Sequence, residues 1–179
     1  RIAHPETGET LSRGETGEFC TRGYSVMSGY WDDPVKTTEA IDEAGWMHTG
    51  DLAVMGPDGY VQIVGRIKDM VIRGGENIYP REIEEFLYTH PEIEEVQVIG
   101  VPDKVYGEQL MAWIKRKPDL ASPQLVSQDD LKAFCAGKIA HYKVPHYVQF
   151  VETFPMTVTG KIRKVEMRAR SIKALGLEV

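Results

Sequence analysis

Gly56-Pro57-Asp58-Gly59 is the stretch that most restricts how this chain can fold. Proline presets φ near the value an early turn position needs, and glycine admits positive φ. Strand-like runs flank it, Asp51 to Met55 and Tyr60 to Val64. Together they predict an antiparallel hairpin. Counting outward from the turn sets Asp51 opposite Val64, and it leaves Asp51 and Arg66 at the same end of the hairpin.

The rest of residues 1–66 is turn-rich. Gly17-Glu18-Phe19-Cys20-Thr21-Arg22-Gly23 has the mixed pattern of a half-buried strand. Asp33-Pro34 opens a short helix that runs to Ile41, and Gly45 is expected to close it. Residues 67–179 have a different rhythm. A short strand over Asp69–Arg73 meets Gly74-Gly75. Pro80 starts a helix whose first turns hold Glu82, Glu84 and Glu85, and Ile83, Phe86 and Leu87 form its apolar stripe before Pro91. Strands follow over Val96–Val101 and Gln109–Lys115, with Pro102-Asp103 opening the loop between them. Ser127 and Asp130 form a capping-box start, with Leu131, Phe134, Cys135 and Ile139 as the stripe behind it. Tyr147–Val151 reads as a third strand. Val165, Ala169, Ile172 and Leu175 give a final amphipathic helix, and Ala121-Ser122-Pro123 is the linker-like patch. The expected fold class is α+β: the remnant of a β-rich subdomain over 1–66, then a small domain over 67–179 with a short sheet flanked by helices.

A net charge of −6 argues against a nucleic-acid binder, which usually carries a basic stripe. The basic residues near the C-terminus (Lys161, Arg163, Lys164, Arg168, Arg170, Lys173) read as a solvated helix face. No apolar run approaches the ~18 residues a membrane span requires, and no signal peptide is visible. Cys20 and Cys135 lie far apart and read as reduced thiols of a cytoplasmic protein, with Cys135 a core residue. No zinc spacing occurs among the cysteines and histidines, so no metal site is expected. The chain opens on Arg1, and Arg1 to Glu9 reads as an internal strand and turn, which suggests a piece of a longer protein.

Pro155-Met156-Thr157-Val158-Thr159-Gly160 precedes Lys161 and sets that lysine on a glycine-relaxed turn between a strand and a helix. It is no phosphate loop, because Pro155 stands where that motif needs glycine and Ile162 where it needs Ser or Thr. Gly74-Gly75 lacks the G-x-G-x-x-G of a dinucleotide fold.

Four segments in order carry more information than any one of them. They are Glu15-Thr16-Gly17-Glu18 through Gly29-Tyr30-Trp31; Trp46-Met47-His48-Thr49-Gly50-Asp51; Gly65-Arg66-Ile67-Lys68-Asp69 through Gly74-Gly75-Glu76-Asn77-Ile78-Tyr79-Pro80-Arg81-Glu82-Ile83-Glu84; and Pro155 to Lys161. The set resembles the adenylate-forming superfamily of acyl-CoA synthetases, peptide-synthetase adenylation domains and luciferases, over nearly the whole chain. The details are most similar to the fatty acyl-CoA synthetases. The resemblance implies two half-reactions: a carboxylate attacks the α-phosphate of ATP to give acyl-AMP and pyrophosphate, and the CoA thiol then displaces AMP. It implies that Asp51 holds the ribose hydroxyls, that Arg66 contacts ribose or phosphate, and that Lys161 is the adenylation lysine. It further implies that Lys68 is the hinge of a domain alternation, and that Gly74, Gly75 and Glu76 border the CoA site. ATP, CoA, a fatty acid and Mg²⁺ held mainly by ATP and upstream residues are the implied ligands. The missing N-terminal domain is the implied partner, and oligomers are possible. The isolated piece is expected to be inactive. Adenylation of an aryl or amino acid, and a non-catalytic partner-binding role, remain as alternatives.

Overall fold

A computed structural model describes residues 1–118 and 127–177, so Ala121-Ser122-Pro123 lies outside the described residues. The chain divides into two compact units, Arg1–Lys68 and Asp69–Val179. The fold is α+β.

The first unit is built on a four-stranded antiparallel sheet in the order β1 (Ile2–Ala3), β2 (Thr16–Thr21), β3 (Met47–Met55), β4 (Val61–Arg66). Helix α1 (Pro34–Ala40) is inserted between β2 and β3. Asp33 caps α1 by accepting the Lys36 N–H, and Pro34 opens its first turn. Gly45 does not close this helix. Ile41 is the cap, in extended conformation, and Gly45, at φ +78°, ends the next turn by donating to the Asp42 carbonyl. The β3–β4 hairpin forms at Gly56–Gly59 as expected, but its register differs from the simple count. Tyr60 belongs to the turn, since the Gly56 N–H donates to its carbonyl at 2.8 Å, and Met55 pairs with Val61. A bulge then omits Val64 from the ladder, and the two shifts together set Asp51 opposite Arg66.

The second unit holds a five-stranded sheet in which β6 (Glu76–Ile78), β5 (Val71–Arg73), β8 (Gly107–Arg116) and β7 (Ile93–Asp103) are neighbours in that order. β9 (Tyr147–Phe150) pairs parallel with β8 over Met111–Ile114. β7 and β8 are longer than expected, and Pro102-Asp103 lies within the ladder, paired with Glu108 and Gly107. Asp69 belongs to a 3₁₀ turn over Ile67–Asp69. The strand β6 was not expected. It is three residues long and, among the described residues, pairs only with β5, too short to show alternation in the sequence.

Helix α2 (Pro80–Leu87) and helix α3 (Gln128–Cys135) cover one face of this sheet. Ile83, Leu87, Leu131 and Cys135 join Val71, Ile78, Val96, Val98 and Leu110 in one buried cluster. The Ser127–Asp130 capping box is present in full. Helix α3 stops at Cys135, and Ile139 packs on the core from the turn beyond it. The other face carries Ile99, Val101, Met111, Trp113 and Phe154 under helix α4 (Lys164–Leu175).

The orientation of α4 corrects the sequence expectation. Val165, Ala169 and Leu175 face solvent, and the buried positions are Met167 and Ser171. Ser171 accepts the Trp113 indole N–H at 3.0 Å. Lys164 Nζ donates to Glu84 Oε1 at 2.7 Å and to the Val98 carbonyl. Arg168 donates to Glu108 at 2.6 Å and to the Gly100 carbonyl. Lys164 and Arg168 are therefore struts between helix and sheet rather than part of a solvated face. Among the described residues, no helix is long and apolar enough to cross a membrane.

Candidate adenylation site residues

In the first unit, β3 leaves its ladder twice. Toward β2, Glu18 pairs with Leu52 and Cys20 pairs with His48, so one β2 residue faces the three residues Thr49, Gly50 and Asp51. Toward β4, the bulge at Val64 brings Arg66 opposite Asp51. The result is an outward step that carries Asp51. Gly50 sits at φ +69°, a conformation costly for any residue with a Cβ.

Side chains replace the backbone bonds that the step removes. Glu18 Oε1 accepts the Gly50 N–H at 3.0 Å, and its Oε2 lies 2.7 Å from His48 Nδ1. Thr49 Oγ1 donates to the Phe19 carbonyl at 2.7 Å and accepts the Asp51 N–H at 3.1 Å. Arg66 Nε donates to Asp51 Oδ1 at 3.0 Å. Thr49, Gly50, Arg66, Ile67 and Lys68 line an open cleft. Lys68 lies in the 3₁₀ turn directly after β4, with its side chain exposed. The two residues expected at one hairpin end are thus an ion pair there, and the Arg66 guanidinium is half exposed.

One cluster was not visible in the sequence. The donor atoms of Glu18, Cys20 and His48 lie within 4.8 Å of one another, although their spacing matches no metal motif. Burial, and then the Glu18 carboxylate, push the Cys20 thiol above its usual range. Both Glu18 oxygens are already engaged with Gly50 and His48. The set is a hydrogen-bonded anchor built around a neutral thiol.

In the second unit, Gly74 and Gly75 form the two-residue turn between β5 and β6, with Arg73 paired to Glu76. Both glycines have positive φ, as the tight hairpin turn requires. The Gly74 N–H donates to the Tyr106 carbonyl at 2.9 Å. The Arg73 guanidinium lies 4.4 Å from the centre of the Tyr106 ring, and its Nε donates to the buried Gln109 at 2.7 Å. The sequence reading gave neither Tyr106 nor Gln109 a role at this turn, because only the pairing of β5 with β8 brings them here. Glu76 is exposed at the turn exit.

Lys161 closes a small turn of its own. The Thr157 N–H donates to the Lys161 carbonyl at 2.8 Å, and the Lys161 N–H donates back to Thr157 Oγ1 at 3.0 Å. Gly160, at φ +79°, makes the reversal, and the Arg163 N–H is held by the Pro155 carbonyl. The backbone is pinned while the ammonium is exposed and has no partner among the described residues.

Residues 82–161 match the family model of the AMP-binding enzyme C-terminal domain. The chain belongs to the adenylate-forming superfamily. Across this superfamily it is 55% identical over 177 residues to YngI of Bacillus subtilis (strain 168), provisionally named an acyl-CoA synthetase. It is 48% identical to the mitochondrial medium-chain acyl-CoA ligase ACSF2 of Bos taurus. The match covers 99% of this chain in both cases, but 32% of YngI and 28% of the ligase, so the chain spans about a third of the length of these curated relatives. ATP-bound MatB from Rhodopseudomonas palustris superposes with a TM-score of 0.89 at 36% identity, over 98% of this chain and 34% of that one. The o-succinylbenzoate CoA synthetase MenE of Bacillus subtilis, in complex with its acyl-adenylate intermediate, gives 0.82 at 28% identity, over 94% of this chain and 33% of that one.

Proposed function

We propose that this chain is the C-terminal part of an ATP-dependent acyl-CoA synthetase that activates a medium- or long-chain fatty acid. The observation that carries the reading is the Asp51–Arg66 ion pair, held on a step of β3 that regular sheet pairing would not produce. The acyl-CoA synthetase names of the relatives support the same reading.

In the first half-reaction an oxygen of the fatty carboxylate bonds to the α-phosphorus of ATP, and pyrophosphate leaves with the electrons of the broken P–O bond. Asp51, ionised, accepts hydrogen bonds from the ribose hydroxyls through the oxygen capacity that Arg66 leaves free. Arg66 stays charged at any working pH and offers its remaining N–H groups to ribose or phosphate. Lys161 offsets repulsion between the two anions as they meet, and a contact of that kind is worth about 10²–10³ in rate. In the second half-reaction the CoA thiol gives up its proton to solvent, its sulfur bonds to the acyl carbon, and AMP leaves with the electrons of the broken acyl C–O bond. The side-chain-free turn at Gly74-Gly75 lets backbone approach the pantetheine closely. Glu76 at its exit borders the same site, and Lys68 acts as the hinge residue between the half-reactions.

Mg²⁺ would arrive with the triphosphate. It requires hard oxygen ligands. One oxygen of Asp51 holds Arg66 and its remaining capacity is assigned to the ribose hydroxyls, and the Glu18–Cys20–His48 cluster mixes thiol and imidazole donors, so these residues do not suit the ion and no step is assigned to it. The 179-residue chain alone is proposed to be inert, because it spans about a third of its relatives.

The test is ATP–pyrophosphate exchange by the full-length protein carrying Asp51→Ala. The KM for ATP should rise roughly tenfold or more, the loss expected for hydrogen bonds to a charged acceptor. An unchanged KM would refute the assignment of Asp51.

A further inference from the structure

We infer that Glu18 and Thr49 are positioning residues for Asp51, a role that rests on the nucleotide reading proposed above. Asp51 sits where β3 has left its ladder with β2, so regular backbone pairing does not fix it. Two side-chain clamps do. Glu18 is 6% exposed, lies in the middle of β2, and spans the step: one carboxylate oxygen holds the Gly50 N–H and the other meets His48 Nδ1. The Thr49 hydroxyl donates to the Phe19 carbonyl and accepts the Asp51 N–H, tying the Asp51 backbone to β2 directly.

The clamps are matched to the backbone they hold. Gly50 adopts positive φ, and its N–H meets a buried carboxylate oxygen of Glu18 on β2. His48 lies 3.6 Å from Asp42 through its other ring nitrogen, so the Glu18 carboxylate is itself held from the side away from Gly50. With both clamps in place Asp51 Oδ1 meets Arg66 Nε. Without them the peptide before Asp51 would be free to relax, and its carboxylate would lose alignment with a ribose that needs two hydroxyls placed at once. Neither Glu18 nor Thr49 has to touch the nucleotide.

The experiment is a cycle between protein and substrate in the full-length enzyme. kcat/KM is measured with ATP, 2′-deoxyATP and 3′-deoxyATP for the unaltered protein and for Asp51→Ala, Glu18→Ala, Glu18→Gln and Thr49→Val. The unaltered protein should prefer ATP over at least one deoxy analogue by roughly 10–100-fold, the range for hydrogen bonds to a charged acceptor. Asp51→Ala should abolish the preference. Glu18→Ala and Thr49→Val should reduce it to less than about threefold, because a displaced carboxylate no longer reads the hydroxyls. Glu18→Gln keeps an acceptor for the Gly50 N–H and should retain most of the preference. A purely structural role would slow ATP and its deoxy analogues alike and leave their ratio intact.

If Asp51→Ala abolishes the preference while Glu18→Ala and Thr49→Val keep it, the positioning role is overturned and the nucleotide reading stands. If the unaltered protein shows no preference, the nucleotide reading falls and takes this inference with it. If Glu18→Ala fails to fold by circular dichroism, the nearly isosteric Thr49→Val decides the matter by the same ratio.

Discussion

Replacing Ser171 by Ala should destabilise the second unit by about 0.5–2.5 kcal/mol, although serine is not a residue usually credited with holding a helix in place. Ser171 is fully buried, Trp113 is 3% exposed, and the indole N–H donates to Ser171 Oγ at 3.0 Å. Removing the hydroxyl strands a buried N–H, which costs about 1–3 kcal/mol. The serine hydroxyl also donates to the Met167 carbonyl one turn earlier, an arrangement that weakens helices slightly, and alanine regains about 0.5 kcal/mol of helix propensity. The remainder corresponds to roughly 2–70-fold faster amide exchange in the β7–β8 ladder when exchange follows opening of the whole unit. Native-state hydrogen exchange at Val98 and Ala112 would measure it. In a Trp113→Phe background no N–H remains to be stranded, so Ser171→Ala should then cost close to nothing. An equal loss in both backgrounds would show that the hydroxyl matters for some other reason and would refute the reasoning.

Two further outcomes follow from the same structure. Burial lowers the pKa of His90 below its ordinary value, so the unfolded chain binds a proton that the folded chain resists. Its contribution to stability is present above pH ~6.5 and is lost as pH falls from there toward the lower folded value. Unfolding free energy should therefore drop between pH 7.5 and 5, and less steeply in His90→Asn. Separately, the buried apolar residues of the first unit are Ile2, Ala3, Cys20, Leu52 and Ala53 among the described residues, while both large apolar clusters belong to the second unit. Amides of residues 1–66 should exchange faster than those of β7 and β8, and uniform protection would contradict this.

The sequence revealed features where local chemistry acts alone. Pro57 and Gly59 mark a turn whatever surrounds them, and Ser127 with Asp130 closes a capping box within four residues. The apolar stripe of α2 was legible because Ile83 and Leu87 meet an apolar sheet face. Features set by a distant partner stayed hidden. The α4 face was misjudged because its inward residues, Lys164, Arg168 and Ser171, satisfy their polarity against Glu84, Glu108 and Trp113, which lie 58 to 80 residues away in sequence. Register was misjudged at Tyr60 and Val64, since a turn lengthened by one residue and a single bulged residue leave the alternation of apolar and polar positions almost unchanged. The candidate site followed the same division. Asp51 and Arg66 could be set at one hairpin end by counting, and the positions of Lys161 and Gly74-Gly75 could be read from glycine and proline placement. Glu18 could not, because only the outward step of β3 gives its carboxylate something to hold. Tyr106 reaches the Gly74 turn only through one pairing, Arg73 with Gly107.

The central claim is that Lys161 serves the adenylation step and not the thioester step. The most direct measurement is Lys161→Ala in the full-length protein, with the two half-reactions assayed apart: acyl-AMP formation from fatty acid and ATP, and CoA transfer from preformed acyl-AMP. The account predicts a fall of about 10²–10³ in the first rate and little change in the second. An unchanged first rate, or an equal loss in both, would contradict it.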